Sequence, residues 1–328
     1  MKKNYGKKGV IISSFLIGII ILVASFLVIL FLFRLFPFGS SINKETCHQS
    51  IVLRSTAKIG PIEPSKALPL KCQTAKICLT ISGEDCGELT STRKNPVQKI
   101  RLNKDVQKAR EEVMKVFAES MITCHSMLGE GQLNFFPHDI SFKDTKYGLI
   151  CTRIVFDQES KEKLDSIGAG EFFAYLESQI TNDQSYLEYL YPGWKNSQNS
   201  IKLFEAFKQE DTQLQNVNFV DWKIIDPNQD NGFAIIALIS EKGQGLQFAK
   251  SAGIASLPLL ASGALLASGV GAPVGATLLI GTTASGVLGA IDFSYRFNDE
   301  FDYHPPFPFP YNIQILKNAG IYSFEIAP

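Results

Sequence analysis

From Gly9 to Phe33 the chain carries 25 consecutive residues without a charge, and 19 of the 24 from Val10 to Phe33 are Val, Ile, Leu or Phe. A helix of that length spans about 36 Å, enough for a hydrocarbon core of about 30 Å with some tilt. Backbone amides find no water in lipid, so a helix is the expected form. The run is apolar on every face, which is unlike the one-sided stripe of a surface helix. A cleaved signal peptide has an apolar region of about 7–15 residues and then a small-residue cleavage site. Here the run is longer and ends in Arg34-Leu35-Phe36-Pro37. Residues 10–36 are therefore read as an uncleaved transmembrane anchor. Lys2, Lys3, Lys7 and Lys8 precede it. The positive-inside bias puts residues 1–9 in the cytoplasm and the chain after Phe36 outside the membrane.

Beyond the anchor, residues 37–250 have the mixed composition of a globular ectodomain. Over the whole chain 32 Lys and Arg balance 32 Asp and Glu. That balance lacks the basic excess of a nucleic-acid binder, so nucleic acid is not an expected partner.

All six cysteines fall in this region: Cys47, Cys72, Cys78, Cys86, Cys124 and Cys151. An even number confined to the extracytoplasmic side predicts disulfides. Cys124 with Cys151 is the expected helix-to-strand staple. Cys72, Cys78 and Cys86 lie close enough for a local loop, with Cys47 left for the remaining partner. Zinc is disfavoured because no close C-x2-C pair is present.

An α+β ectodomain follows from the periodicities. Ser50–Ile59 and Ala67–Ile81 are rich in β-branched and apolar residues and predict strands, the second carrying Cys72 and Cys78 on one face. Over 104–127 the residues Val106, Ala109, Val113, Val116, Phe117, Ser120, Met121 and Cys124 recur at three- and four-residue steps. This is the core face of a long helix, closed by Gly129 and Gly131. Residues 147–156 predict a strand, and 161–180, 184–191 and 201–207 predict helices. Residues 219–225 and 233–240 flank the turn-rich 226–232 and predict a β-hairpin, as do 312–316 and 321–326 around 317–320.

A second charge-free run covers the 41 residues between Lys250 and Asp292. As one straight helix it would be about 60 Å long, so it must break or fold back. Pro273 behind Gly269 and Gly271 suggests a Gly/Ala-rich helical hairpin over 251–291. Small residues fall in two four-residue ladders: Gly263, Ala267, Gly271 and Gly275, then Thr277, Gly281, Ser285 and Gly289. Such faces allow close helix packing, in membranes especially. A membrane-inserted hairpin, a buried or interfacial hairpin, and a conditional pore or fusion element are the three readings of this segment. Residues 292–328 hold the aromatic, proline-rich 301–311, expected as a stiff loop packed on the domain.

No H-E-x-x-H, G-x-S-x-G or P-loop pattern is present. Cys124, His125 and Ser126 are adjacent, but neighbours along a helix do not face one another. Carboxylates such as Glu111, Glu112, Asp157 and Glu159 are expected on solvated faces. Neither a catalytic residue, a cofactor nor a metal site is expected, and the chain reads as a non-enzyme, with an anchored extracytoplasmic enzyme as the alternative reading. Absence of any N-x-Ser/Thr sequon leans toward a prokaryotic envelope.

The stretches Cys124-His125-Ser126-Met127-Leu128-Gly129-Glu130-Gly131, Asn134-Phe135-Phe136 and Ile150-Cys151-Thr152-Arg153-Ile154-Val155-Phe156-Asp157 resemble segments of uncharacterised archaeal membrane proteins. Those proteins have one N-terminal anchor, a cysteine-bearing ectodomain and a Gly/Ala-rich stretch. The resemblance implies an archaeal envelope setting and carries no site residue. The expected partners are the lipid bilayer, other copies of the chain and other envelope proteins. Self-association would run through the apolar segments.

Overall fold

A computed structural model describes residues 19, 21–25, 38–56, 70–92, 95–133, 146–191, 223–241, 274–283, 286–296, 301–313, 316 and 321–325. The chain divides after Glu45 into an N-terminal and a larger C-terminal unit. Most of the anchor, 10–36, lies outside the described residues. Of it, Ile19 and Ile21–Ser25 are helical and exposed. Among the described residues no helix is long and apolar enough to cross a membrane.

The body is a mixed α/β fold built on one mixed sheet. Its strands are β1 (Ala75–Thr80), β2 (Val97–Arg101), β3 (Lys146–Phe156), β8 (Phe233–Glu241), β9 (Val274–Thr283), β10 (Gly286–Arg296), β11 (Phe301–Pro310) and β12 (Ile321–Glu325), in the order β2-β1-β3-β8-β11-β10-β9. Strand β12 pairs with β3 beside that path. The small strands β4 (Ile167–Gly168) and β7 (Lys223–Ile225) pair with each other, as do β5 (Ile180–Thr181) and β6 (Gln184–Ser185). The helices are α1 (Phe38–Thr56), α2 (Val106–Met127), α3 (Gln158–Lys163), α4 (Ala169–Ser178) and α5 (Tyr186–Leu190).

Strand β8 sits in the middle because it is apolar from Phe233 to Ile239, all of them buried. A strand covered on both faces needs no polar alternation. Helix α2 lies against the sheet, with the Phe117 ring 6.4 Å from Phe156 and 5.5 Å edge-on to Phe233. The expected stripe is its buried face, except Val106 at the exposed start. Asp105 caps the helix by accepting from the Lys108 amide at 3.1 Å.

All six cysteines form disulfides: Cys47–Cys72, Cys78–Cys86 and Cys124–Cys151. The third is the helix-to-strand staple that the sequence suggested. Cys151 is the extra residue where the β3–β8 register shifts between Ile150 and Thr152. A bulge re-aims a side chain, and here it turns Cys151 to α2. The second disulfide closes a small cluster with Leu89 and Val155, separate from the main core.

Several expected elements differ. Residues 50–56 are helical, because the buried positions Cys47 and Ile51 are four apart while Leu53 is 55% exposed. The 67–81 strand shortens to β1, so Cys72 lies before it and pairs with α1 instead of sharing a face with Cys78. The 161–180 helix breaks into α3, β4 and α4. Strand β7 pairs with β4, so it forms no hairpin with β8. The helix expected at 201–207 is outside the described residues.

Ile313 and Leu316 are helical where a strand is expected, the Leu316 amide donating to the Asn312 carbonyl at 2.9 Å. The terminal strand β12 then runs parallel to β3 instead of closing a hairpin. Strands β11 and β12 thus rejoin strands that precede residues 251–291 in the chain.

Residues 301–310 form a strand and not the expected loop. Its four prolines fit for a geometric reason. The Tyr311 amide donates to the Gly232 carbonyl at 2.8 Å, so odd-numbered residues after the bulge face β8. Pro308 and Pro310 therefore point their missing donor away from the ladder, where strands tolerate proline. Pro305 and Pro306 occupy the register shift itself.

Residues 274–283 and 286–296 are antiparallel strands in register over ten positions, not the second arm of a helical hairpin. The segment 251–273, with Gly263, Ala267 and Gly271, lies outside the described residues, as does Ser285. Gly275, Thr277 and Gly281 share a face of β9, since their even spacing is also a strand repeat. Gly289, opposite Ile280, falls on the other face.

Candidate functional site

The C-terminus of α2 meets β11 and α5 in a cluster of titratable side chains. The helix ends when the Leu128 amide donates to the Cys124 carbonyl at 3.1 Å. Gly129, Glu130 and Gly131 then all take left-handed φ, at 70°, 58° and 69°. Glycine accepts that conformation freely. At Gly131 it is also the only residue with room, because a Cβ would stand 2.4 Å from the Tyr303 ring. Glu130 has no such freedom, and the Tyr189 hydroxyl holds its carboxylate at 2.6 Å.

His125 lies beneath this turn and is 1% exposed. Its Nδ1 is 3.1 Å from the Tyr303 hydroxyl. The ring is edge-on to Tyr189 at 5.3 Å and stacked on Tyr303 at 5.8 Å. Burial pushes the imidazole down to about 4, against a smaller upward pull from a hydrogen bond to the Tyr189 backbone. The Nδ1–hydroxyl bond has the tyrosine or the imidazole as its donor according to the ring tautomer. Burial pushes Tyr189 up to about 12, with its bond to Glu130 adding to the rise, and pushes Tyr303 well above the ordinary phenol value. At neutral pH the histidine and both tyrosines are uncharged. Of the cluster, Glu130 is the carboxylate that reaches solvent.

The adjacent Cys124, His125 and Ser126 point in three directions. Cys124 is bonded to Cys151, His125 reaches Tyr303, and the Ser126 hydroxyl bonds Tyr189. They form no nucleophile relay. The structure instead unites His125 with Tyr303, 178 residues away.

A second cluster stands where the parallel strands β1 and β3 end, the edge at which open α/β sheets place ligands. Asp157 is 2% exposed, which corrects its expected place on a solvated face. Its Oδ2 accepts from Thr80 and Ser82 at 2.5 and 2.6 Å, and its Oδ1 accepts from the Ser160 amide at 2.8 Å. Ser160 Oγ in turn accepts from the Ile81 amide at 3.0 Å. Burial alone would raise the Asp157 carboxyl, but hydrogen bonds from Ser160, Ser82 and Thr80 outweigh it and hold the pKa below the ordinary value. Both carboxylate oxygens are engaged in joining β1, β3 and α3. The other named carboxylates are surface groups: Glu112 accepts from the Asn103 amide at 2.7 Å, and Glu159 pairs with Lys163.

Among the described residues no group of three or more His, Cys, Asp or Glu is placed to hold a metal ion. His48 spends its Nδ1 on the Met127 carbonyl at 3.2 Å. The chemistry of both clusters is cohesive: hydroxyls and a neutral imidazole satisfy one another and fix where helices and strands meet.

No family model, curated protein or solved structure matches the chain.

Proposed function

We propose that the chain is a membrane-anchored envelope protein whose extracytoplasmic domain serves as a structural or binding component. The observation that carries this reading is the set of three disulfides, two joining separate segments of the domain and one closing a local loop. Disulfides of this kind persist in oxidising compartments and are rare in cytosol. The charge-free run 9–33 supplies the tether. A structural or binding role is supported by the two polar clusters, whose donors and acceptors are spent on each other. The pairing of β11 and β12 with β8 and β3 supports a C-terminus on the same side as the ectodomain.

The test uses intact cells carrying a C-terminal tag. External protease should remove the tag, and protein isolated under thiol-blocking conditions should migrate differently with and without reductant. A protected tag, or six freely alkylated thiols, would overturn the reading.

A further inference from the structure

We propose that the β9–β10 ribbon is a membrane-inserting hairpin that closes a β-barrel with the same ribbon of neighbouring copies. The proposal adds to the anchored-ectodomain reading without resting on it.

Its first support is the pairing pattern. Strand β10 meets β11 only through Tyr295 and Arg296, opposite Tyr303 and Asp302. Its remaining residues, 286–294, pair with β9 on one side. On their other side, and along the outer side of β9, no strand pairs among the described residues. Strand β7 lies near β10 but is bonded to β4. A two-stranded ribbon is marginal in water. Native sheets usually blunt such edges with Lys, Pro or short strands, yet β9 has ten residues with no charge and no proline.

The second support is the alternation of residue types. Register places Val274, Leu278, Ile280, Val287, Ile291 and Phe293 on one face, together with Ala276, Thr282, Gly289 and Tyr295. Gly275, Thr277, Gly281, Thr283, Asp292 and Ser294 fall on the other, joined there by the apolar Leu279 and Leu288. An apolar outer face and a small, more polar inner face is the dyad pattern of a transmembrane barrel. The single carboxylate, Asp292, lies on the more polar face, three residues from the junction with β11.

The third support is length. Membrane-spanning strands need about 9–11 residues, and this ribbon has ten paired positions. No charge falls between Lys250 and Asp292, so the tip can enter lipid without burying one. Inside a bilayer an open edge is prohibitive. The two edges that no strand pairs among the described residues are satisfied when copies join edge to edge in a ring. Both ends of the hairpin also stay on one side, as the return of β11 to β8 demands.

The test uses the full-length, disulfide-intact protein in liposomes of phosphatidylcholine and phosphatidylglycerol. Leu278→Cys, Leu279→Cys, Ile280→Cys and Gly281→Cys are labelled one at a time with a fluorophore. A lipid-borne nitroxide should quench labels at 278 and 280, and aqueous iodide those at 279 and 281. The vesicles should also release a trapped small dye. Ile280→Arg should slow release at least about tenfold, since a cation on the lipid face at mid-bilayer opposes insertion. Gln107→Arg, on the exposed side of α2, should not change it. Loss of the disulfides on a non-reducing gel identifies a misfolded variant, in which case Leu278→Arg replaces it. Absence of lipid quenching at all four positions, a helical periodicity of quenching, or release unaffected by Ile280→Arg would each overturn the proposal.

Discussion

Acidification should destabilise the domain through one residue, His125, over a defined range of pH. In the folded chain burial holds its pKa at about 4, against 6.5 for the free side chain. Between these values the unfolded chain binds a proton that the folded chain refuses. Stability is therefore full above pH 6.5, falls as the pH drops through that window, and stops falling below 4 on this account. At 1.36 kcal/mol per unit, the shift amounts to about 3 kcal/mol in total, of which about 2 kcal/mol is lost by pH 5. With a urea slope of about 3 kcal/mol per molar, that loss lowers the unfolding midpoint by about 0.7 M. The assay is urea unfolding at pH 7.5, 6, 5 and 4.5, followed by near-ultraviolet circular dichroism on detergent-solubilised protein. His125→Gln should be less stable at pH 7.5 but flatter across this range. Asp157 adds its own acid sensitivity, since its folded pKa is below the ordinary carboxylate value. Its contribution is common to both proteins and cancels in their difference. An equal pH slope for wild type and His125→Gln would refute the assignment.

Removing Cys124–Cys151 by paired alanine substitution should cost about 3.6 kcal/mol, and removing Cys78–Cys86 about 2.5 kcal/mol, from loop lengths of 27 and 8 residues. Equal losses in urea titration would argue against the loop-closure account. Gly131→Ala should destabilise by at least about 2 kcal/mol, because left-handed strain adds to the clash with Tyr303; a neutral result would mean the turn relaxes. Asp157→Asn should lose about 2 kcal/mol at pH 7 by weakening charge-assisted bonds to Thr80, Ser82 and the Ser160 amide. The loss should shrink as the pH falls through the native Asp157 pKa, and a pH-independent loss would count against it.

Much of the α2–β3 unit is legible in the sequence because its signals are local. A three- and four-residue stripe over 106–124 can bury only one helical face. A strand carrying Cys151 and a helix carrying Cys124 in its last turn then make a natural staple. Residues 50–56 mislead because Ile51 and Val52 are β-branched and run on into the apolar Leu53. Strand propensity yields there to the burial of Cys47 and Ile51, four apart on one helical face, and to the bond with Cys72. Small-residue ladders over 275–289 mislead for a different reason. Positions four apart align on a helix and on a strand alike, so spacing cannot choose between them.

His125–Tyr303 and Asp157–Thr80 join residues 178 and 77 apart, and no local pattern marks such a pair. Local periodicity, charge-free runs and cysteine count were enough to establish a chain with a long apolar leader, a helix–strand core and paired thiols. Tertiary structure alone decided that β7 bonds β4, that a proline-rich tail becomes a sheet strand, and that His125 is buried without charge. Those outcomes depend on which surfaces meet, because side chains lose water and gain partners only when distant segments close on them.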